Sequence, residues 1–140
     1  MITREISSPE DLKAAFIVIK ELRPHLSFEE YSSIYQSARE RDDYTLAGIF
    51  DQQKCIAVMG YRVLYDFAHK KHFYLDDLVV LPSHRSQGIG ERLLKYAEEI
   101  ARKLKCEELR LCTGTQNVRA QKLYEKCGWV AKSIAYKKKL

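Results

Sequence analysis

The chain has 140 residues, of which 46% are hydrophobic and 31% are charged, and its formal net charge is +5. This length can bury one core but is short for two, so we expect a single domain over residues 1–140. No apolar run approaches the roughly 20 residues of a membrane-spanning helix, and the N-terminus lacks the apolar core of a signal peptide, which predicts a cytoplasmic protein with no membrane partner.

The first half of the chain predicts one strand, two helices and a hairpin. Residues 2–6 alternate like a short strand. Residues 8–11, SPED, combine an N-cap with proline and acids, as at a helix start, and residues 27–30, SFEE, fit a capping box. The β-rich runs 44–50 and 54–65 are separated by three residues, which predicts an antiparallel hairpin.

The second half predicts alternating helices and strands around a central strand. Residues 72–81 are apolar on both alternating faces, interrupted only by Asp76 and Asp77. The remaining predicted elements are a helix over residues 90–105, a strand over 108–112, a helix over 117–127 that Gly128 ends, and a last strand over 129–137. The order β-α-α-β-β-β-α-β-α-β predicts an α/β fold, with a mixed sheet and helices on both faces.

Cysteine spacing and charge distribution restrict the possible ligands. The four cysteines form no CxxC pair and no zinc-ligand spacing, so we expect reduced thiols and no metal. Basic residues are interspersed with acids everywhere except residues 137–139, so we expect no nucleic-acid partner. The positive charge does favour polyanionic ligands, including a coenzyme with phosphates.

A glycine-containing loop, residues 85–90 (RSQGIG), lies between the central strand and the following helix. The first N–H groups of a helix lack internal partners and carry partial positive charge, so such a loop can bind an anion. Gly88 and Gly90 allow close backbone approach, and Arg85 adds a charged donor. The loop lacks the Lys-Ser/Thr of a P-loop, and Leu93 replaces the last glycine of a dinucleotide fingerprint. From these residues alone, a plain turn is an equal alternative.

Two segments together resemble the GNAT superfamily of N-acetyltransferases. Residues 85–90 match its coenzyme loop, [Gln/Arg]-x-x-Gly-x-[Gly/Ala], and residues 74–85 (YLDDLVVLPSHR) resemble its fourth strand running into that loop. Residues 117–129 are similar to its second signature, an Asn and then a Tyr on a short helix followed by Gly-Phe, with Trp in place of Phe. The resemblance is specific over residues 74–129 and architectural before them.

The resemblance implies an acetyltransferase. It would transfer the acetyl group of acetyl-CoA to a primary amine of a small molecule, protein or peptide, by direct attack in a ternary complex. In this family, strand 4 is bulged and splays from strand 5, and the pantetheine arm lies in the gap. The alternative is a non-catalytic acyl-CoA-binding sensor or regulatory module. Whether the last strand pairs with a second copy, giving a homodimer, stays open.

The resemblance also implies the coenzyme contacts. Backbone groups of Leu78, Val79 and Val80 would hold the pantetheine arm, with the Val79 N–H as the expected oxyanion donor. Asn117 would contact the coenzyme as well as cap its helix. The other expected coenzyme ligands are Arg85, Ser86, Gln87, Gly88, Ile89, Gly90 and Glu91.

Three side chains are candidates for proton transfer. Tyr124 is the expected general acid and a coenzyme contact, since a phenol of pKa about 10 can protonate a thiolate whose acid lies at about 8.5; the alternative is an ordinary core tyrosine. Asp76 and Asp77 are expected on opposite faces of the strand, and one of them would take the amine's proton. Alternatively, one caps backbone and the other binds a cationic substrate.

The remaining candidates concern the acceptor amine. By analogy with the family, the acceptor would lie against the second helix and the loop after it, near Tyr31, Tyr35 and Tyr44. The four histidines share no spacing, so we expect surface or loop roles for them. His72 is the exception, because it lies on the central strand.

Overall fold

The computed structural model describes residues 1–140 and contains five strands and four α-helices. Every predicted helix and the first five predicted strands are present, with ends shifted by one or two residues. In chain order they are β1 (Ile2–Ile6), α1 (Pro9–Leu22), α2 (Phe28–Asp42), β2 (Thr45–Asp51), β3 (Lys54–Asp66), β4 (Lys70–Val80), a short 3₁₀ turn (Pro82–His84), α3 (Ile89–Lys103), β5 (Glu108–Leu111) and α4 (Val118–Lys126).

Serine caps start the first two helices where the sequence predicts them. Ser8 accepts a hydrogen bond from the Asp11 N–H at 3.1 Å. At α2, the Ser27 hydroxyl accepts from the Glu30 N–H at 3.1 Å, and the Glu30 carboxylate accepts from the Ser27 N–H at 3.2 Å. Each cap satisfies N–H groups that lack a partner in the first turn, so the two helices begin directly after these serines.

The five strands form one sheet in the order β1-β2-β3-β4-β5. The first three pairings are antiparallel and the β4–β5 pairing is parallel, so the sheet is mixed, as predicted, and most of its pairings are antiparallel. Residues 55–60 of β3 are buried without interruption, which requires a cover on both faces of the sheet. The core is one cluster of 23 buried apolar residues from the sheet and from α1, α2 and α3.

Strand β4 has a bulge and a free half. Gly60 pairs with Asp77 while Tyr61 pairs with Leu75, so Asp76 is an extra residue that bulges out of the β3–β4 ladder. On its other side, β4 pairs with β5 only over His72–Leu75. Residues 76–80 of β4 have no partner on the β5 side, and the predicted splay of strands 4 and 5 is confirmed.

The prediction of a last strand over residues 129–137 is wrong. Residues 129–140 form neither strand nor helix, and Val130, Ile134 and Tyr136 are exposed. The sheet ends at β5, and a strand needs a neighbouring row of main-chain donors and acceptors, which this segment does not reach.

None of the helices has the length and apolarity needed to span a membrane.

Candidate active site

The start of α3 presents a row of unused main-chain donors. Its N-cap is Gly88, in the left-handed region at φ 75°, and no side chain caps the helix. No N–H group from Ser86 to Glu91 donates a hydrogen bond within the protein, and the first bond of the helix runs from the Arg92 N–H to the Gly88 carbonyl at 3.1 Å. Six consecutive donors at a helix N-terminus form a site suited to a diphosphate.

The two glycines of the loop have different structural roles. A Cβ on Gly88 would meet no atom within 4 Å, so the space beside it is open to a ligand. A Cβ on Gly90 would lie 3.0 Å from Leu123 Cδ2, so this glycine allows α4 to pack against the start of α3. Arg85 is held at the same place because its Nε donates to the Val80 carbonyl at 3.2 Å. The loop, the end of β4 and α4 therefore meet at one point.

The free half of β4 offers main-chain groups to the gap. The Leu81 N–H bonds the Ile56 carbonyl at 2.9 Å, which makes their pairing a hydrogen-bonded one. Because hydrogen-bonded and open pairs alternate along an antiparallel ladder, the N–H of Val79 points toward β3, whereas those of Leu78 and Val80 point into the gap. The expectation that Val79 supplies the oxyanion donor is therefore wrong, because its N–H points away from the gap.

Asp76 and Asp77 line the same cleft, and the expectation of opposite faces is wrong. The bulge adds one residue to β4, which breaks the alternation of side chains at this point. Both carboxylate oxygens of Asp76 accept from Arg62, each at 2.8 Å. Asp77 accepts instead from the Tyr44 hydroxyl at 2.6 Å. The two carboxylates therefore have different partners and different chemistry.

The environment of Asp77 makes its carboxylate a stronger proton acceptor than an ordinary exposed one. Burial raises the pKa of this carboxyl above its ordinary value, and the nearby charge of Asp76 acts in the same direction. The Tyr44 hydrogen bond and the Arg23 guanidinium, 3.8 Å away, oppose the increase. A carboxylate with a raised pKa is a better proton acceptor than one held in a bidentate ion pair, so Asp77 is the stronger candidate base.

Gly60 makes the Tyr44–Asp77 bond possible. A Cβ at Gly60 would lie 1.7 Å from the Tyr44 hydroxyl oxygen, so any other residue would expel the phenol. Burial, followed by the charge of Asp77, raises the pKa of Tyr44, so this hydroxyl stays protonated and donates. The predicted substrate-binding role of Tyr44 thus becomes a contact with the candidate base.

Tyr124 lies on α4 with its hydroxyl uncommitted. The ring is half-buried and its centroid lies 6.0 Å from that of Trp129, but the hydroxyl makes no hydrogen bond within the protein and is not sealed from solvent. Burial raises the pKa of Tyr124, so it carries its proton throughout the neutral range. Asn117 caps the helix, as the sequence indicates, by accepting from the Ala120 N–H at 3.2 Å.

A cleft of about 430 Å³ beside the two aspartates collects the predicted acceptor residues. Its aromatic wall consists of Tyr31, Tyr35 and Tyr44. The cleft is also lined by Asp76 and Asp77. The Tyr31 hydroxyl donates to the Leu12 carbonyl at 2.9 Å, so this residue offers the cleft its ring only.

Two arginines of this cleft were missed by the sequence analysis. Arg62 pairs with Asp76, and Arg23 lies at the end of α1 near Asp77. The position of Arg62 on the strand before β4 could have indicated a contact with β4. The bulge shifts the register by one residue, so the sequence does not show that the contact is with Asp76. Arg23 had no such signal, because the packing of α1 against the sheet sets its position.

Comparison with known proteins agrees with this geometry. The sequence profile of the Acetyltransferase (GNAT) family matches residues 10–129. The Uncharacterized N-acetyltransferase YhdJ of Bacillus subtilis (strain 168) is 26% identical over 136 residues, which cover 96% of each chain. Thialysine N-epsilon-acetyltransferase of Bos taurus is 39% identical over 75 residues, which cover 51% of this chain and 44% of that enzyme.

The fold has close structural counterparts. The aminoglycoside N-acetyltransferase AAC(6')-Iy, solved in complex with CoA, superposes with a TM-score of 0.86 at 18% identity, and the match covers 99% of this chain and 95% of that one. The family that matches residues 10–129 places the chain in the class of acyltransferases. The chain belongs to the GNAT family, and it is an acetyltransferase that acts on an amine.

Proposed function

We propose that the acceptor is a primary amine of a small molecule or of a protein or peptide, and that it attacks acetyl-CoA directly within a ternary complex. The observation that carries this proposal is the row of six unpartnered N–H groups from Ser86 to Glu91, beside the unpaired half of β4. A binding surface for the coenzyme and a cleft for the amine thus lie on adjacent parts of one strand.

The residues at the loop fit the diphosphate of a coenzyme. Acetyl-CoA, when bound, supplies an acetyl group activated as a thioester. The free amides and Arg85 bind the phosphates, and the outward N–H groups of Leu78 and Val80 hold the pantetheine arm and the acetyl oxygen. Glu91 does not oppose an anion here, since its carboxylate is ion-paired with Lys126.

On the amine side, each carboxylate has a separate task. Asp77 accepts a proton from the incoming ammonium, directly or through one water molecule, because only the neutral amine is a nucleophile. Asp76, fixed by Arg62, holds negative charge at the cleft wall and positions the cationic acceptor. Tyr124 gives its proton to the departing thiolate.

The lining of the cleft indicates the class of amine, and the cysteines indicate the compartment. Its aromatic and acidic walls suit a small cationic amine, and one relative in the comparison is named for thialysine. The four free thiols support a reducing compartment such as the cytoplasm.

An amine panel tests the proposal. Purified protein is mixed with acetyl-CoA and diamines, lysine-like amino acids, amino sugars or lysine-containing peptides, and release of free CoA is measured. We expect release that depends on at least one acceptor and saturates in both substrates. Tight coenzyme binding without release across the panel would instead support the non-catalytic module of the same fold.

A further inference from the structure

A second cluster of polar side chains lies at the other end of β4, apart from the cleft. Asp66 ends β3, His69 lies in the following turn and His72 is on β4, in the pattern D-x-x-H-x-x-H. The hairpin brings one ligand atom from each to within 4.8 Å of the others. The sequence spacing does not predict this cluster, because the four histidines share no common spacing and only the hairpin brings Asp66 beside two of them.

His72 is oriented as metal-binding histidines are. It is fully buried, and its Nδ1 lies 3.0 Å from the Lys70 carbonyl, which can only accept. The proton is therefore on Nδ1, and Nε2 presents its lone pair to the cluster. Histidine ligands of metals commonly have this arrangement, with the second ring nitrogen donating to a backbone carbonyl.

The distances within the cluster suit a tetrahedral cation. His69 Nδ1 lies 2.9 Å from Asp66 Oδ1, and His72 Nε2 lies 3.9 Å from Asp66 Oδ2. Metal–ligand bonds of about 2.0–2.1 Å place tetrahedral ligand atoms about 3.3 Å apart, which falls between these two distances. In this structure His69 Nδ1 donates to the Asp66 carboxylate, and to ligate a cation it would give up that proton. The ring N–H would then be on Nε2, which faces the Glu108 carboxylate at 3.9 Å.

A cationic side chain already contacts two of the three residues of the cluster. Arg110 Nη1 lies 3.3 Å from His72 Nε2 and 3.7 Å from Asp66 Oδ2. The guanidinium thus contacts the same two atoms that a cation would bind, and its side chain is 30% exposed, so it has room to move outward. A metal ion and this guanidinium compete for one position.

We propose that Asp66, His69 and His72 form a binding site for a divalent transition-metal cation, which displaces the Arg110 guanidinium. Two imidazoles and one carboxylate suit Zn²⁺, Ni²⁺ or Cu²⁺ rather than Mg²⁺ or Ca²⁺. The bound ion joins the end of β3, the turn and β4. It serves structure and not the acetyl transfer, because Asp76 and Asp77 lie four and five residues further along β4.

Calorimetric titration with Zn²⁺ tests the site. Cys112 and Cys127 are exposed thiols that can take Zn²⁺ themselves, so all proteins carry Cys112→Ser and Cys127→Ser. We expect one Zn²⁺ per chain and no binding of Mg²⁺. His69→Ala should weaken the Kd at least about tenfold, since loss of a residue that only hydrogen-bonds a metal ligand already lowers metal affinity about 10–100-fold. His69 is chosen because substitution of the buried His72 risks the fold.

Two further variants sharpen the result. His25→Ala, which removes an exposed histidine outside the cluster, should bind Zn²⁺ like its parent. Arg110→Met should bind several-fold more tightly, because the competing charge is gone. The assignment is overturned by equal Zn²⁺ affinity in the parent and His69→Ala, by Mg²⁺ binding at the same strength, or by an Arg110→Met variant that gains nothing.

Discussion

Tyr124 is half-buried but has a hydroxyl that no residue of the protein uses. We expect Tyr124→Phe to lower kcat by about 100-fold or more, the usual contribution of a positioned general acid, because the departing thiolate then takes its proton from water. The Kd of CoA should change little, since the ring remains. Steady-state kinetics and calorimetry on the same preparation check this, and an equal loss in both quantities would make Tyr124 a packing residue.

The two aspartates should give different pH profiles. Asp77 must be ionised to accept a proton, so kcat/KM is expected to rise with pH through its pKa, which burial holds above the ordinary value. Asp77→Asn should remove this limb and lower kcat/KM about 100-fold. Asp76→Asn should keep the limb while raising KM, because Arg62 loses its partner and the cleft wall its charge. Loss of the limb in Asp76→Asn alone would exchange the two roles.

The hydrogen bond from Tyr44 provides an independent test of the same base. This bond lowers the pKa of Asp77, so Tyr44→Phe should raise that pKa and move the acidic limb of kcat/KM to higher pH. Tyr35→Phe is the matched control, because its ring packs 6.5 Å from that of Tyr44 without bonding Asp77. A limb that stays in place in Tyr44→Phe would exclude Asp77 as the group that controls it.

The aspartates also show how far residue-level prediction reaches. The sequence singled out Asp76 and Asp77 because two carboxylates interrupt an apolar strand, and the structure places both in the cleft. Their relative direction was beyond the sequence, because strand alternation holds only where the ladder is regular. One extra residue in β4 reverses it, and the same bulge hides the partner of Asp76 on β3.

At the level of elements, the start of α3 is the feature to disturb. Gly88→Glu places bulk and negative charge in the open space beside the free amides, and Gly88→Gln is its matched control with the same size and the same backbone strain at φ 75°. Like charges about 4 Å apart at a protein surface repel by about 4 kcal/mol before screening by salt. We therefore expect the Glu variant to bind CoA at least about tenfold more weakly than the Gln variant. Equal affinities by calorimetry would exclude the loop as the phosphate site.

The sequence predicts helix starts correctly where the capping residues alone determine them. The serine caps at Ser8 and Ser27 define helix starts within a single turn, so α1 and α2 begin where the sequence indicates. A strand is different, because it exists only with a partner. Residues 129–137 have the composition of a strand, but the neighbour that would complete one is a property of the whole sheet.

At the level of the molecule, the pairing of β4 with its two neighbouring strands shapes both the gap and the cleft. Strand β4 pairs with β3 along its length and with β5 only over its first half, so the coenzyme gap opens on one edge while the bulge directs two carboxylates into the cleft. The sequence signature of residues 74–129 predicted the gap and the loop. The cleft depends instead on the packing of α1 and α2, which carry no family signature and still supply Arg23 and the aromatic wall.

A crystal structure of the protein with CoA would show where the diphosphate binds. We expect phosphate oxygens about 2.7–3.2 Å from several amide nitrogens of residues 86–91, with the pantetheine arm along Leu78 and Val80 between β4 and β5. A diphosphate bound elsewhere, with those amides facing solvent, or strands β4 and β5 paired along their full length, would contradict this expectation.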